Sequence, residues 1–149
     1  MGVPVNEKIS EAVAIMATAV PVSVASAGTM TIGPVNVAQL EKVLFLLEIG
    51  AIAGGATVDA VLKSSATSGG SYANIPNTAI TQVTATPTQP VGIEIEASTL
   101  AGLGVGPFVK LVATVGTAAV VLAGQALSGP SCYSPASDLG VTYQQLVLA

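Results

Sequence analysis

Apolar and polar residues alternate along much of this chain with a period of two, the period of a strand that buries one face. Residues 91–96 give the cleanest case, with Val91, Ile93 and Ile95 on one side and Gly92, Glu94 and Glu96 on the other. Residues 57–63 repeat it: Val58, Ala60 and Leu62 face one way, Thr57, Asp59, Val61 and Lys63 the other. The strongest apolar run, "EKVLFLLEIGAI", sets Val43, Phe45, Leu47 and Ile49 against Lys42, Leu44, Leu46 and Glu48. A strand apolar on both faces is expected to be covered on both, either inside the fold or against a partner.

Gly, Pro, Ser and Asn punctuate these runs at the spacing of sandwiches and barrels. Residues 54–75, "GGATVDAVLKSSATSGGSYANI", read as a strand, a polar Gly/Ser turn and a new strand beginning near Tyr72 and Ile75. "TMTIG" ahead of Pro34 is another strand, and "VKLVATV" and "AVVLAGQAL" around a "GTA" turn carry the pattern of a hairpin. The glycines of "IGAIAGGAT" and "LAGLGVGPF" predict turns between strands. Near the start, Ile9, Val13 and Met16 have helical spacing, but Val20, Val22 and Val24 alternate, so strand is expected from about Val13 onward. The tail begins as loop and ends in a short strand within Val141–Leu148. The sum is an all-β chain of about eight strands with little helix, an antiparallel β-sandwich or jelly roll. One domain is expected over residues 1–149, with residues 1–12 an N-terminal arm and residues 129–149 a C-terminal loop and strand extension.

Composition sharpens this picture. Of 149 residues 51% are hydrophobic and only 8% are charged, against about 25% in ordinary soluble domains. Disordered chains have the reverse balance. A surface left to Ala, Thr, Ser, Gly and Val departs from the charged surfaces that keep monomers dispersed, so covering by partner subunits is expected. With Lys+Arg totalling 4 and a net charge of −4, there is no basic cluster to neutralise phosphates, and no nucleic-acid partner is expected.

Two stretches imitate membrane signals. "ISEAVAIMATAVPVSVASAG" ends in Ala25-Ser26-Ala27, a peptidase-like pattern, but Glu7, Lys8 and Glu11 replace the positive leader and Pro21 breaks the run, so no signal peptide is expected. Residues 111–127 lack charge and approach the ~20 residues of a spanning helix. Their Val and Thr content, with Gly116 and Gly124, favours strands, and no membrane partner is expected.

Candidate chemistry is sparse. The sequence has no His, which removes the usual base near neutral pH and every triad built on it. The lone Cys132 has no Arg or His to activate it and reads as a small apolar residue. Glu94 and Glu96 share a strand face roughly 6–7 Å apart, near a glycosidase pair, but without the aromatic cleft such enzymes need; a solvated face is expected. Asp138 stands alone rather than in a calcium loop, and no phosphate loop follows the glycines. No catalytic, metal or cofactor-binding residue is assigned, and the chain reads as no enzyme.

The order of segments brings in a family. "LEKVLFLLEIGAIAGGATVDAVLKSSATSGGSYANIPNTAITQV", followed by "GIEIEASTL", "PFVKLVATVGTA" and "CYSPASDL", resembles the capsid cement, or decoration, proteins of tailed bacteriophages over roughly residues 40–140. The resemblance implies a jelly-roll sandwich, with a strand at "AITQ", made in the host cytoplasm and placed on the capsid exterior of the virion. It implies binding to the major capsid protein and to itself as a homodimer or homotrimer, and no catalysis. The polar turn "SSATSGG", and Cys132 before the tyrosine of "YSP", depart from the pattern of such relatives. Two other readings of a β-sandwich stand beside it: a carbohydrate-binding module of a phage tail or adhesin, and a jelly-roll shell subunit.

Overall fold

The structure is a computed structural model that describes residues 13–128 and 145–148. Its strands, in chain order, are β1 (Ala14–Val24), β2 (Thr29–Asn36), β3 (Lys42–Ile49), β4 (Thr57–Ser65), β5 (Ala73–Asn74), β6 (Val91–Glu96), β7 (Phe108–Gly116), β8 (Val120–Ser128) and β9 (Gln145–Leu148). A 3-10 turn, Val37–Gln39, follows β2, and one α-helix, α1 (Ala97–Leu103), follows β6.

Two sheets form. One has five strands in the order β1-β8-β3-β6-β9, the other four in the order β2-β7-β4-β5. The antiparallel partners are nested: β1 with β8, β2 with β7, β3 with β6 and β4 with β5. A long hairpin rolled up so that successive pairs fall alternately into two sheets gives this order, and it is a jelly roll. The expected sandwich is present, with one departure from antiparallel pairing: β9 runs parallel to β6 at the sheet edge.

The period of two chooses the core. Val43, Phe45 and Leu47 of β3 and Val91, Ile93 and Ile95 of β6 are fully buried from one sheet. Val58 and Leu62 of β4 and Val109, Leu111, Ala113 and Val115 of β7 are fully buried from the other. Burial of each Val, Leu, Ile or Phe side chain among them contributes about 1.5–3 kcal/mol. Gly124 of β8 lies where a Cβ would meet Ile32 Cδ1 and the carbonyl of Leu46, so the two sheets close against bare backbone there.

Three expectations are corrected. The runs at β7 and β8 are not a hairpin: β7 lies in the four-stranded sheet and β8 in the five-stranded one. The chain turns the corner between sheets at Thr117, whose φ is 68°. "LAGLGVGPF" is not simply a turn, because its first residues belong to α1. Buried Leu100 anchors that helix, and left-handed Gly104 ends it by donating from its N–H to the carbonyl of Ala101.

The third concerns "AITQ", which forms no strand. Residues 75–83 instead lie along the outer edge of β4, beyond the two-residue β5, and Val83 makes an isolated bridge to Val58. The N–H of Ile75 donates to the carbonyl of Leu62 and that of Ile80 to the carbonyl of Ala60. Thr78, wholly buried, accepts from the Leu62 N–H at 3.2 Å and donates to the Ile75 carbonyl at 2.8 Å. A loop thus closes an edge that would otherwise offer unpaired backbone.

Candidate functional site

The outer face of the five-stranded sheet follows from the same alternation that fills the core. Its pairings line up Ile15, Leu127, Leu44, Glu94 and Leu148 in one row across all five strands. The next row is Thr18, Gln125, Leu46 and Gly92. Beyond it Ala123 faces Glu48, and Val121 faces Ser23. Leu44, Leu46 and Leu127 are half-buried by their neighbours, while Ile15 is 64% exposed, Val121 48% and Leu148 69%.

The fold itself thus covers one of the two faces of β3. The inner residues of β3 are packed, but among the described residues no layer lies over Leu44 and Leu46. The result is an aliphatic row, Ile15, Leu127 and Leu44, with Leu46 beside it and Glu94 where the row continues toward Leu148. Contiguous apolar patches rimmed by polar groups mark sites of association.

The strand at the edge of this face adds to it. β1 is eleven residues long, carries no charge, and pairs with β8 on one side only. Val20 is 70% exposed, and Val13, Met16 and Val22 are exposed as well. Strands at open edges usually carry lysines that discourage pairing with another chain. Here only Pro21 and register shifts near Met16 and Val20 interrupt the edge.

Two of the charged residues of this sheet hold one another. Lys42 and Glu96 are direct partners between β3 and β6, with Nζ 3.0 Å from Oε1. Glu96 also accepts from the Ser98 hydroxyl at 3.2 Å. The hydrogen bond and charge of Lys42, helped by Ser98, hold the Glu96 carboxyl below its ordinary value, and the same contact raises the Lys42 amine. Glu94 instead stands between Leu44 and Leu148 in the sheet register. Glu94 and Glu96 thus line an open sheet face, with Glu96 engaged by a lysine.

The other residues weighed in the sequence are dispersed. Asp59 accepts a 2.8 Å hydrogen bond from Gln82 Nε2 rather than meeting Lys63. Cys132 and Asp138 lie outside the described residues, as do the proposed arm at 1–12 and most of the C-terminal extension. Among the described residues no group of three or more His, Cys, Asp or Glu could hold a metal ion. No helix there is long and apolar enough to cross a membrane. The apolar face itself was half visible in the sequence, through Leu44 and Leu46; that Ile15 and Leu127 continue it depends on the register of β1, β8 and β3.

No family model, curated protein or solved structure matches this chain.

Proposed function

We propose that this protein is a structural component of a virus particle, a capsid cement protein that binds the outside of the major capsid protein lattice and stabilises the head of a tailed phage. The observation that carries the reading is the uncovered aliphatic row Ile15–Leu127–Leu44, flanked by the chargeless edge of β1. A surface of this kind gains free energy when another protein covers it, about 25 cal/mol per Å² of apolar area before the costs of association. Modest contacts of that strength are adequate for a protein repeated over a shell, where multivalent attachment supplies avidity.

Two further features support it. The jelly-roll order is an architecture shared by viral capsid and lectin domains. The sequence, with 8% charged residues, is that of a subunit whose surface is meant to be shared. Lectin sites commonly stack sugars on exposed aromatic rings. Here Tyr72 already stacks beneath Lys110, and Phe45 is wholly buried.

The test is the mass of the purified protein by light scattering, followed by cosedimentation with expanded phage heads. A discrete dimer or trimer that sediments with heads is the expected result. A dispersed monomer without affinity for heads would overturn the proposal, and closed shells formed by the protein alone would make it the shell subunit instead.

A further inference from the structure

The outer face of the four-stranded sheet is built on a different chemistry. Lys63 of β4 and Lys110 of β7 are direct cross-strand partners, and Lys63 faces Asn74 of β5 on its other side. Like charges set opposite each other across a strand pair destabilise a sheet. The chain has only 4 Lys and no other cation, yet two of them occupy this one row. Neither makes an ion pair with a described carboxylate; the salt bridge among the described residues is Lys42–Glu96, on the other sheet.

The neighbourhood holds the pair in place. The Lys110 ammonium lies 4.0 Å from the centre of the Tyr72 ring, a cation–π contact. The Tyr72 hydroxyl in turn donates to the Ser68 carbonyl at 2.8 Å, tying the ring to the polar turn of residues 66–71. The adjacent row pairs Val61 with Val112, both half-buried, which gives an aliphatic floor beside the two ammonium groups. Asp59, farther along β4, is occupied by Gln82.

From this placement we infer that the Lys63–Lys110 row is a docking point for the carboxylates of an acidic protein segment, whose aliphatic groups rest on Val61 and Val112. Two cations match one or two carboxylates. They do not match an extended polyanion, which a chain of net charge −4 would repel. This face is opposite the one proposed to assemble, and the inference stands whether or not that proposal does.

The test uses a capped five-residue peptide of alternating valine and glutamate, which carries two carboxylates between aliphatic side chains, titrated into the full chain at low salt and followed by amide and aromatic NMR signals. The expected shifts centre on Lys63, Lys110, Asn74 and the Tyr72 ring. Lys63→Thr and Lys110→Thr should each weaken binding roughly two- to fivefold, and added salt should weaken it further. The peptide should raise the Tm of the native chain but not that of the doubly substituted one. Lys63→Thr alone should raise the Tm without peptide, because it removes the opposed charge while leaving Tyr72 on Lys110. Absence of binding, shifts elsewhere, or unchanged affinity in the double variant would overturn the inference. A thymidine oligonucleotide bound as tightly as this peptide would overturn it too, by making phosphate the ligand.

Discussion

The Thr78 hydroxyl accepts the hydrogen bond from the Leu62 N–H that a neighbouring strand's carbonyl would accept in a regular sheet. It also donates to Ile75, so one buried side chain stitches the loop of residues 75–83 to the edge of β4. Replacing Thr78 by Val keeps the shape and strands a buried donor, which costs about 1–3 kcal/mol. Urea unfolding should show that loss, and Thr78→Ser should retain most of the stability. A larger loss in Thr78→Ser than in Thr78→Val would locate the effect in the methyl group rather than in the hydroxyl.

Phe45 is wholly buried at the centre of β3. Phe45→Ala should lower stability by about 3–5 kcal/mol through the lost transfer energy and the cavity left behind. A denaturation midpoint close to the native one would mean that the sandwich collapses into the space.

Two glycines should respond in opposite directions. Gly102 lies inside α1 with open space where a Cβ would stand, so Gly102→Ala should stabilise by roughly 0.5–1 kcal/mol through helix propensity. Gly124→Ala drives a methyl against Ile32 and the Leu46 carbonyl, and overpacking of this kind costs about 1–3 kcal/mol. Thermal melts of the two variants compare them directly.

The apolar face gives a prediction in solution. Ile15→Lys and Val20→Lys place charge at strongly exposed positions of β1, so folding should be unaffected while association through this edge is lost. Light scattering should show smaller particles for both variants with unchanged circular dichroism. Unaltered mass would move the contact away from β1.

Acid should act through the Lys42–Glu96 contact. A carboxyl held below its unfolded-state value stabilises the fold fully above that value, and the contribution fades as pH falls from there through the depressed folded value. For the Lys42 amine, held above its unfolded value, the contribution is lost only as pH rises through the raised value in alkali. Unfolding measured against pH should therefore show a shallower acid limb for Glu96→Gln than for the native chain. Identical limbs would mean that solvent screens this exposed pair completely.

Much of the sandwich can be read from alternation alone, because a half-buried strand must put every second residue inward. Val91, Ile93 and Ile95, or Val58, Ala60 and Leu62, are interior for that reason. Alternation does not say which sheet a strand joins, so β7 and β8 look like a hairpin although they belong to different sheets. The seven residues of α1 bury only Leu100 and include Gly102, which leaves too little periodicity to announce a helix. Residues 79–83 have strand-like apolar content, yet their backbone partners are interrupted by a threonine hydroxyl. The meeting of Lys63 with Lys110, and of Lys42 with Glu96, depends on register between segments far apart in the chain.

The nested order of the strands also sets a timetable. Ala14 finds its partner only at Ser128, and Thr29 only at Thr114, so the outermost pairs cannot zip until almost the whole described chain has left the ribosome. Such distant partners make folding slow, and β1 waits as a free apolar ribbon for the length of translation. The same segment that offers a surface in the finished protein is thus the one most exposed to stray encounters while it is being made.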